Sequence, residues 1–178
     1  MPIQTWSFDF LHSSVNFVAR HLVVARVFGR FDRFNGTLEI DPADLSTGSV
    51  EVQIEANSVN TFNADRDNHL RNAEFLDVVR FPEITYKSSR VELRGGSAFQ
   101  VRGDLTLHGM SLPLTLEAKN LGVIEKDPWG FRRILFSAHG SLSRVEHGIT
   151  WCHTMQNGGW LVSERIEFEL DIQATAQS

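Results

Sequence analysis

The stretch FQVRGDLTLHGMSLPLTLEAK, residues 99–119, decides the fold class of this chain. Small or apolar residues recur at every second position: Phe99, Val101, Gly103, Leu105 and Leu107, then Leu112, Leu114, Leu116 and Ala118. Successive side chains of a β-strand point to opposite faces, so each run predicts a strand with one apolar face. His108-Gly109 between the runs is a turn signal. The stretch therefore predicts an antiparallel hairpin.

The same alternation recurs along the rest of the chain. One-faced runs start at Ser14, Gly36, Val50, Ile84, Phe136 and Ile166, and turn signals stand at Asp41-Pro42, Gly95-Gly96, Asp127-Pro128 and Asn157-Gly158-Gly159. The runs amount to about eight strands joined mainly by short hairpins. One-faced antiparallel strands must pack in a sandwich or close on themselves, and closure removes exposed edges. We therefore predict an all-β fold, an eight-stranded antiparallel barrel that forms a single domain over residues 1–178.

Two segments interrupt the strand pattern. Residues 65–75 favour one short helix, at about 64–75, because Asn63 or Asp65 can cap its start. Residues 22–30 favour a short helical turn near 22–29, ended by Gly29. A helix placed between barrel strands can cover one opening of the barrel.

Composition limits the classes of partner. The chain holds 13 Phe but one Tyr, and so many hydrocarbon rings either fill a core or line an apolar cavity. The net charge of -5 argues against a nucleic-acid surface. The basic residues Arg26, Arg30 and Arg33 lie close together, which favours a solvated face over a phosphate site.

The sequence also bears on the location of the protein and on its disulfide bonds. No run reaches the roughly 18 apolar residues of a membrane span, so none is expected. The first ten residues lack the basic and apolar regions of a signal peptide, which predicts a cytoplasmic protein, or a periplasmic one if a signal has been removed. Cys152 is the single cysteine and cannot form an internal disulfide.

Several blocks of the sequence resemble the YceI-like family, the lipocalin-like polyisoprenoid-binding proteins of bacteria. The matching blocks are Asp9-Phe10-Leu11-His12-Ser13 with Val15, Phe17 and His21; Gly29-Arg30-Phe31 with Phe34-Asn35-Gly36; Arg66-Asp67-Asn68-His69-Leu70-Arg71 with Phe75 and Asp77; Phe81-Pro82-Glu83-Ile84; Gly103-Asp104-Leu105-Thr106-Leu107-His108-Gly109 with Pro113; and Arg144 with Gly148-Ile149. They follow the family's order and span almost the whole chain.

The resemblance implies a lipocalin-like barrel with an elongated apolar cavity. It also implies that a long-chain lipid, of polyprenyl or quinone type, is bound inside, and that the protein is often a homodimer. No metal and no cofactor other than such a lipid are expected. The chain departs from the family pattern at Phe62, Leu76, His147 and Trp151-Cys152-His153. A bulky Phe62 predicts a shortened or reshaped cavity.

The inward sides of the predicted strands and the two flanking segments supply the predicted ligand-binding residues. These are Phe17, Ala19, His21, Phe28, Phe31, Leu38, Ile54, Phe75, Ile84, Tyr86, Leu105, Leu107, Leu114, Leu116, Phe136, Ala138, Phe168 and Leu170. His21 and Tyr86 are the polar members and could meet the head of a buried lipid.

Motifs of catalysis are absent from the sequence, and no catalytic residue is predicted. His147, Cys152 and His153 match no standard zinc spacing. Arg66 and Asp67 are interpreted as a tie between the helix and the barrel rim. We therefore expect a lipid-binding or lipid-carrying protein that is not an enzyme. Two alternatives stay open: an enzyme acting on a quinone or isoprenoid through His21 or the Arg66-Asp67-His69 group, and a stress-associated structural protein with a filled barrel.

Overall fold

The computed structural model describes residues 2–156 and 161–177. Its strands are β1 (Gln4–Phe8), β2 (Ser14–His21), β3 (Ala25–Phe31), β4 (Phe34–Asp41), β5 (Asp44–Glu55), β6 (Val59–Asn60), β7 (Glu83–Gly95), β8 (Ala98–Leu107), β9 (Met110–Ile124), β10 (Arg133–Ser143) and β11 (Arg165–Ala176). A 3-10 turn covers Ala56–Ser58, and the helix α1 covers Ala64–Arg71. The predicted turn at Asn157-Gly158-Gly159 lies outside the described residues.

These segments form a closed antiparallel barrel of eight long strands. β1 and β2 both pair with β11, at Trp6↔Ala176 and Phe17↔Phe168, so they are two parts of one barrel strand. β3 continues into β4, and β5 continues into β6, in the same manner. Each barrel strand pairs with its neighbours in the chain, and β1 with β11 completes the ring. The predicted eight-stranded fold is confirmed.

Hydrogen bonds across two of the breaks keep the sheet continuous. At residues 9–13, the Ser13 hydroxyl accepts from the Gln173 N–H (3.0 Å) and donates to the Gln173 carbonyl oxygen (3.1 Å). At residues 32–33, the Arg33 N–H donates to the Ser58 hydroxyl (3.0 Å). A serine side chain thus replaces a strand neighbour where the backbone leaves the ladder.

The helix starts where the sequence predicts and ends earlier. Asn63 is the N-cap, and its side-chain oxygen accepts from the Arg66 N–H (2.9 Å). The predicted end at residue 75 is wrong, because Asn72 takes an extended conformation and its side chain accepts from the Glu74 N–H (2.9 Å). The chain then turns back and buries Phe75 against the barrel interior.

The predicted helical turn near 22–29 is wrong. Residues 22–24 form a three-residue loop, and residues 25–31 are strand β3. Pairing with β2 runs from Asn16↔Arg30 to His21↔Ala25 and overrides the local pattern. The valines of this segment also favour a strand, since β-branched side chains fit the pleated sheet better than a helix.

The two ends of the barrel differ. The helix end carries α1, the β2–β3 and β8–β9 connections and residues 144–164, whereas the hairpin end carries the β4–β5, β7–β8 and β9–β10 connections. Trp6, Ile134 and Ala174 are fully buried on segments that lead to the hairpin end. In the described part of the chain, no helix has the length and apolar character needed to cross a membrane.

Candidate functional site

The interior of the barrel contains a cavity of about 540 Å³. Its wall is made mainly of hydrocarbon side chains from β2 to β11, together with residues that follow α1 and residues of the 144–162 segment. Inward-facing residues such as Ala19, Leu142 and Leu170 are only half-buried, although their side chains line the interior. Their remaining accessible surface therefore faces the cavity, and the barrel is not filled by its own side chains.

All predicted lining residues except Phe28 face this cavity. They are Phe17, Ala19, His21, Phe31, Leu38, Ile54, Phe75, Ile84, Tyr86, Leu105, Leu107, Leu114, Leu116, Phe136, Ala138, Phe168 and Leu170. That they contact a ligand stays a prediction. Phe28 lies in the segment near 22–29 for which the sequence predicts a helical turn, but that segment is strand β3 from residue 25 onward. As a strand residue between Val27 and Gly29 it points outward and is 57% exposed.

Sequence reasoning missed one part of the wall altogether. Ile149, Trp151, Leu161 and Val162 line the cavity from a segment that has no regular strand pairing. Alternation could not have found them, because it requires a strand. The signal that was present is Arg144, which belongs to the family blocks and organises this segment.

Glycines on the inner wall make room for aromatic rings. The Phe17 ring lies over Gly29 on the neighbouring strand, and the Phe168 ring lies over Gly140, where an added Cβ would come within 2.6 Å of Cζ. The Tyr86 ring occupies the equivalent space above Gly103. The missing side chains let these rings pack against the wall, which leaves the centre of the barrel open.

The Tyr86 hydroxyl is not available as a free donor inside the cavity. It lies 3.1 Å from the Val101 carbonyl oxygen and 3.3 Å from that of Leu114, and so donates to the backbone. Burial raises the pKa of Tyr86. The residue is a neutral, satisfied part of the wall, which weakens its candidacy as a contact for a polar head.

The arginines and histidines of the wall all lie at the helix end. They are Arg20, His21, Arg66, His69 and Arg144, and no Asp or Glu of the described chain joins them. Arg20, Ala25 and Arg66 are exposed and line the cavity at the same time, so they form its mouth. The cavity is thus apolar inside and positively charged where it meets solvent.

Arg144 is a buried cation held by carbonyl groups. Its Nε donates to Ser163 (2.9 Å), Nη1 to Ile149 (2.7 Å) and Trp151 (2.9 Å), and Nη2 to Val162 (3.2 Å). These bonds bring the two ends of the 149–162 segment together above the barrel. Desolvation lowers the pKa of Arg144. No carboxylate in the described residues forms an ion pair with it, although the nearby Glu164 carboxylate favours its charged form.

Two histidines flank the mouth in different ways. The His21 ring makes no hydrogen bond to a described residue and faces the cavity. The His69 ring bonds to Glu74 (2.5 Å) and stands edge-on to Phe75 and Trp151, with ring centroids 4.9 Å apart in both pairs. The His21 ring therefore faces the cavity without a hydrogen bond to a described residue, whereas His69 belongs to an aromatic cluster that covers the helix end.

The side chains of the Arg66-Asp67-His69 group are held by hydrogen bonds to Thr61 and Glu74. Asp67 is buried and accepts from the Thr61 N–H (2.8 Å) and hydroxyl (2.5 Å). The Arg66 Nε donates to the same hydroxyl (2.7 Å), and its Nη2 donates to the Thr61 carbonyl oxygen (2.7 Å). The interpretation that Arg66 and Asp67 tie the helix to the rim is confirmed.

The residues that depart from the family pattern lie in different places. Leu76 lines the cavity, but Phe62 is 71% exposed beside Arg30 and does not reshape it, so that prediction is wrong. His147 is buried with Nδ1 donating to the Ser143 carbonyl oxygen (3.1 Å). Within residues 2–156 and 161–177, no three His, Cys, Asp or Glu side chains are arranged to hold a metal ion.

Known proteins share both the sequence and the fold. The family model described as YceI-like domain matches residues 6–174. Protein YceI of Salmonella newport is 42% identical over 139 residues, which cover 78% of this chain and 72% of that protein. A UPF0312 protein of Vibrio cholerae is 37% identical over 138 residues, with the same two coverages of 78% and 72%.

Solved structures agree with these sequence relatives. The YceI protein of Campylobacter jejuni has a TM-score of 0.76 at 28% identity, covering 89% of this chain and 90% of its own. BcnA of Burkholderia cenocepacia has a TM-score of 0.83 at 19% identity over 94% of this chain and 99% of its own, a likeness of fold. This chain belongs to the YceI-like family.

Proposed function

We propose that the barrel binds a long apolar lipid of isoprenoid type, a polyprenyl or quinone-like molecule, and sequesters or carries it. The observation that carries this proposal is the cavity of about 540 Å³ with an almost entirely hydrocarbon wall. Burial of each CH₂ group contributes roughly 0.8 kcal/mol, so ten buried carbons supply about 8 kcal/mol before ordering costs. Such a ligand needs few polar contacts. The isoprenoid class rests on the family resemblance.

The charge of the wall supports one orientation of this lipid. The tail lies among the apolar residues of β7 to β11, and the polar head lies at the helix end, where His21 and Arg144 face the cavity. An oxygen of the head can accept a hydrogen bond there from the Arg144 guanidinium or the His21 ring, whereas the wall formed by β7 to β11 is hydrocarbon apart from the Tyr86 hydroxyl, which donates to the backbone.

Lipid uptake by two variants tests this proposal. Each variant adds a phenylalanine ring to β10, one on the inside of the barrel and the other on the outside. Ala138 faces the cavity, and His139, next to it on β10, is exposed on the outside. We expect A138F to abolish binding of a long-chain prenyl quinone, measured by titration and by mass spectrometry of solvent-extracted protein. The matched variant H139F should bind as wild type does, and both should keep the barrel's circular dichroism spectrum.

Two outcomes would contradict the proposal. One is wild-type protein that yields no lipid on extraction and binds none on titration. The other is A138F protein that still binds the quinone with unchanged affinity. Unfolding of A138F would mean that Ala138 is packed core; L116W then serves as the second blocking variant at another inward position.

We propose binding without catalysis, since Arg66 and Asp67 are engaged with Thr61 and His69 with Glu74. Chromatography of a prenyl quinone after prolonged incubation with the protein checks this. New products that depend on the protein and disappear in H21A would favour the enzyme alternative. The homodimer and the cytoplasmic location stay predictions, for light scattering and cell fractionation to check.

A further inference from the structure

The hairpin of β2 and β3 carries no acidic residue. From Phe10 to Phe31 the chain has neither Asp nor Glu, although acidic residues outnumber basic ones in the protein as a whole, 22 to 17. We define the hairpin surface as Arg20, Leu22, Val23, Val24, Arg26, Phe28 and Arg30. It lies on the outside of the barrel next to the mouth of the cavity, since Arg20 and Ala25 also line that cavity.

The tip of this hairpin is apolar and exposed. Val23 is 68% exposed and Val24 80%, and Leu22 and Phe28 are exposed as well. Leu22 and Val23 also adopt left-handed backbone conformations, with φ of 51° and 70°. Asn or Gly suits such a loop, whereas a β-branched residue is strained there. The tip therefore combines strain with exposed hydrocarbon, which a loop facing only water has no reason to do.

Two arginines of the hairpin surface lie next to each other and concentrate positive charge there. Arg20 lies directly opposite Arg26 in the strand register, and like charges in that position repel. Neither forms an ion pair with a carboxylate of the described chain, while Arg30 pairs with Asp32 at 2.6 Å. The apolar tip is thus bordered by two cations, Arg20 and Arg26, that form no ion pair with a carboxylate of the described residues.

We propose that the hairpin surface docks the barrel onto a lipid bilayer rich in anionic headgroups. The valines and Leu22 enter the boundary of the hydrocarbon layer, and Arg20 and Arg26 contact the headgroups. A second copy of this chain fits the surface less well, because a twofold contact would place the arginines of one copy against those of the other. Docking in this way directs the mouth of the cavity toward the membrane.

Co-sedimentation with vesicles tests the proposal. Wild-type protein should sediment with vesicles of phosphatidylcholine and phosphatidylglycerol in equal parts, and should be released by high salt. R20Q/R26Q should weaken this binding roughly thirtyfold, at about fivefold for each arginine near an anionic surface. V23N/V24S should weaken it about tenfold or more, through loss of buried hydrocarbon.

The tip variant also controls for folding. Asn accepts the left-handed conformation of residue 23, so V23N/V24S should unfold at the same temperature as wild type or higher. Trp129 is 71% exposed on the β9–β10 connection at the hairpin end of the barrel. W129S removes a large exposed apolar side chain at the end of the barrel opposite the hairpin surface, and should leave vesicle binding unchanged.

Three results would overturn the proposal: wild-type protein that stays in solution with the anionic vesicles, a tip variant that binds them as wild type does, or W129S that loses binding to the same degree. A different result would identify the surface as a contact between copies of the chain. In that case wild-type protein would not bind vesicles, and the tip variant would change the molecular mass measured by light scattering. Co-sedimentation with vesicles does not require that the cavity holds a lipid. A protein that attaches to vesicles but carries no lipid therefore contradicts the proposed function alone.

Discussion

Tyr86 shows how one side chain reports on the wall of the cavity. It is the single tyrosine of the chain, so the ultraviolet absorbance of tyrosinate measures this residue alone. Burial raises the pKa of its hydroxyl above the ordinary value of 10.0. We expect no tyrosinate signal in folded protein at a pH where the urea-unfolded chain is half-ionised.

The same shift sets a direction for stability. The native state holds the Tyr86 proton more tightly than the unfolded chain does, so this contribution is complete below the unfolded pKa and is lost as the pH rises above it. Y86F should remove that part of the alkaline dependence of unfolding. Ionisation of folded Tyr86 at its ordinary pKa would mean that solvent reaches its hydroxyl.

Gly140 supports a second prediction at this scale. An added Cβ would collide with the Phe168 ring, so G140A should push that ring toward the cavity and destabilise the barrel by about 1–3 kcal/mol. Chemical denaturation measures the change. Removal of the ring in G140A/F168A should cancel most of the effect of the alanine relative to F168A alone. Additive effects of the two substitutions would show that the ring does not depend on this glycine.

The residues of the inner wall could be predicted wherever the alternation of a strand alone decides which side a side chain faces. Alternation places Leu105, Leu116 and Phe136 on the inner wall from sequence alone, because a strand in a closed sheet has only two sides. The prediction for Phe28 was wrong because residues 22–29 were not treated as a strand, and alternation gave no information about Trp151. The partners of Arg144 were also beyond prediction, since carbonyl groups carry no sequence signature.

At the scale of elements, a buried ionic link joins strand β10 to two loops. Arg133 on β10 bonds to Asp127 in the β9–β10 connection (2.6 Å) and to Asp9 in the break between β1 and β2 (2.5 Å). Burial alone would raise the pKa of both carboxyls, but hydrogen bonds outweigh it, chiefly those from Arg133, and both values are lowered from 3.8. The link thus stabilises the fold only while these carboxyls are charged.

This link gives a pH dependence with a definite sign. Both carboxyls have lower pKa values in the folded state, so their contribution is present above about pH 4 and is lost as the pH falls below it. We expect the thermal midpoint of wild type to fall steeply in acid. R133Q should have a lower midpoint at neutral pH and a flatter profile below it, measured by scanning calorimetry. An acid profile parallel to that of wild type would argue against the link.

The start of α1 could be predicted from the sequence, whereas its end and the breaks in the strands could not, and the reason is physical. The start of α1 could be predicted because Asn63 caps it locally, whereas its end depends on how Asn72 and Phe75 meet the barrel. The breaks in the strands were not predicted either. Their hydrogen bonds join residues as distant as Ser13 and Gln173, which no local pattern reveals.

On the scale of the whole molecule, the three broken strands are neighbours. Their breaks, at residues 9–13, 32–33 and 56–58, divide one side of the ring into two parts. At the helix end, β6 pairs with β3 and, among the described strands, with no other. We expect faster amide hydrogen exchange in β2, β3 and β6 than in β8, β9 and β10. Uniform protection around the ring would contradict this.

The three aligned breaks also have a mechanical consequence. The five strands β7 to β11, opposite the breaks, are uninterrupted, so we expect the barrel to deform more easily along the line of breaks than across these five strands. We therefore expect the width of the cavity to vary most at its mouth, beside β2, β3 and β6, and least near the fully buried Trp6, Ile134 and Ala174.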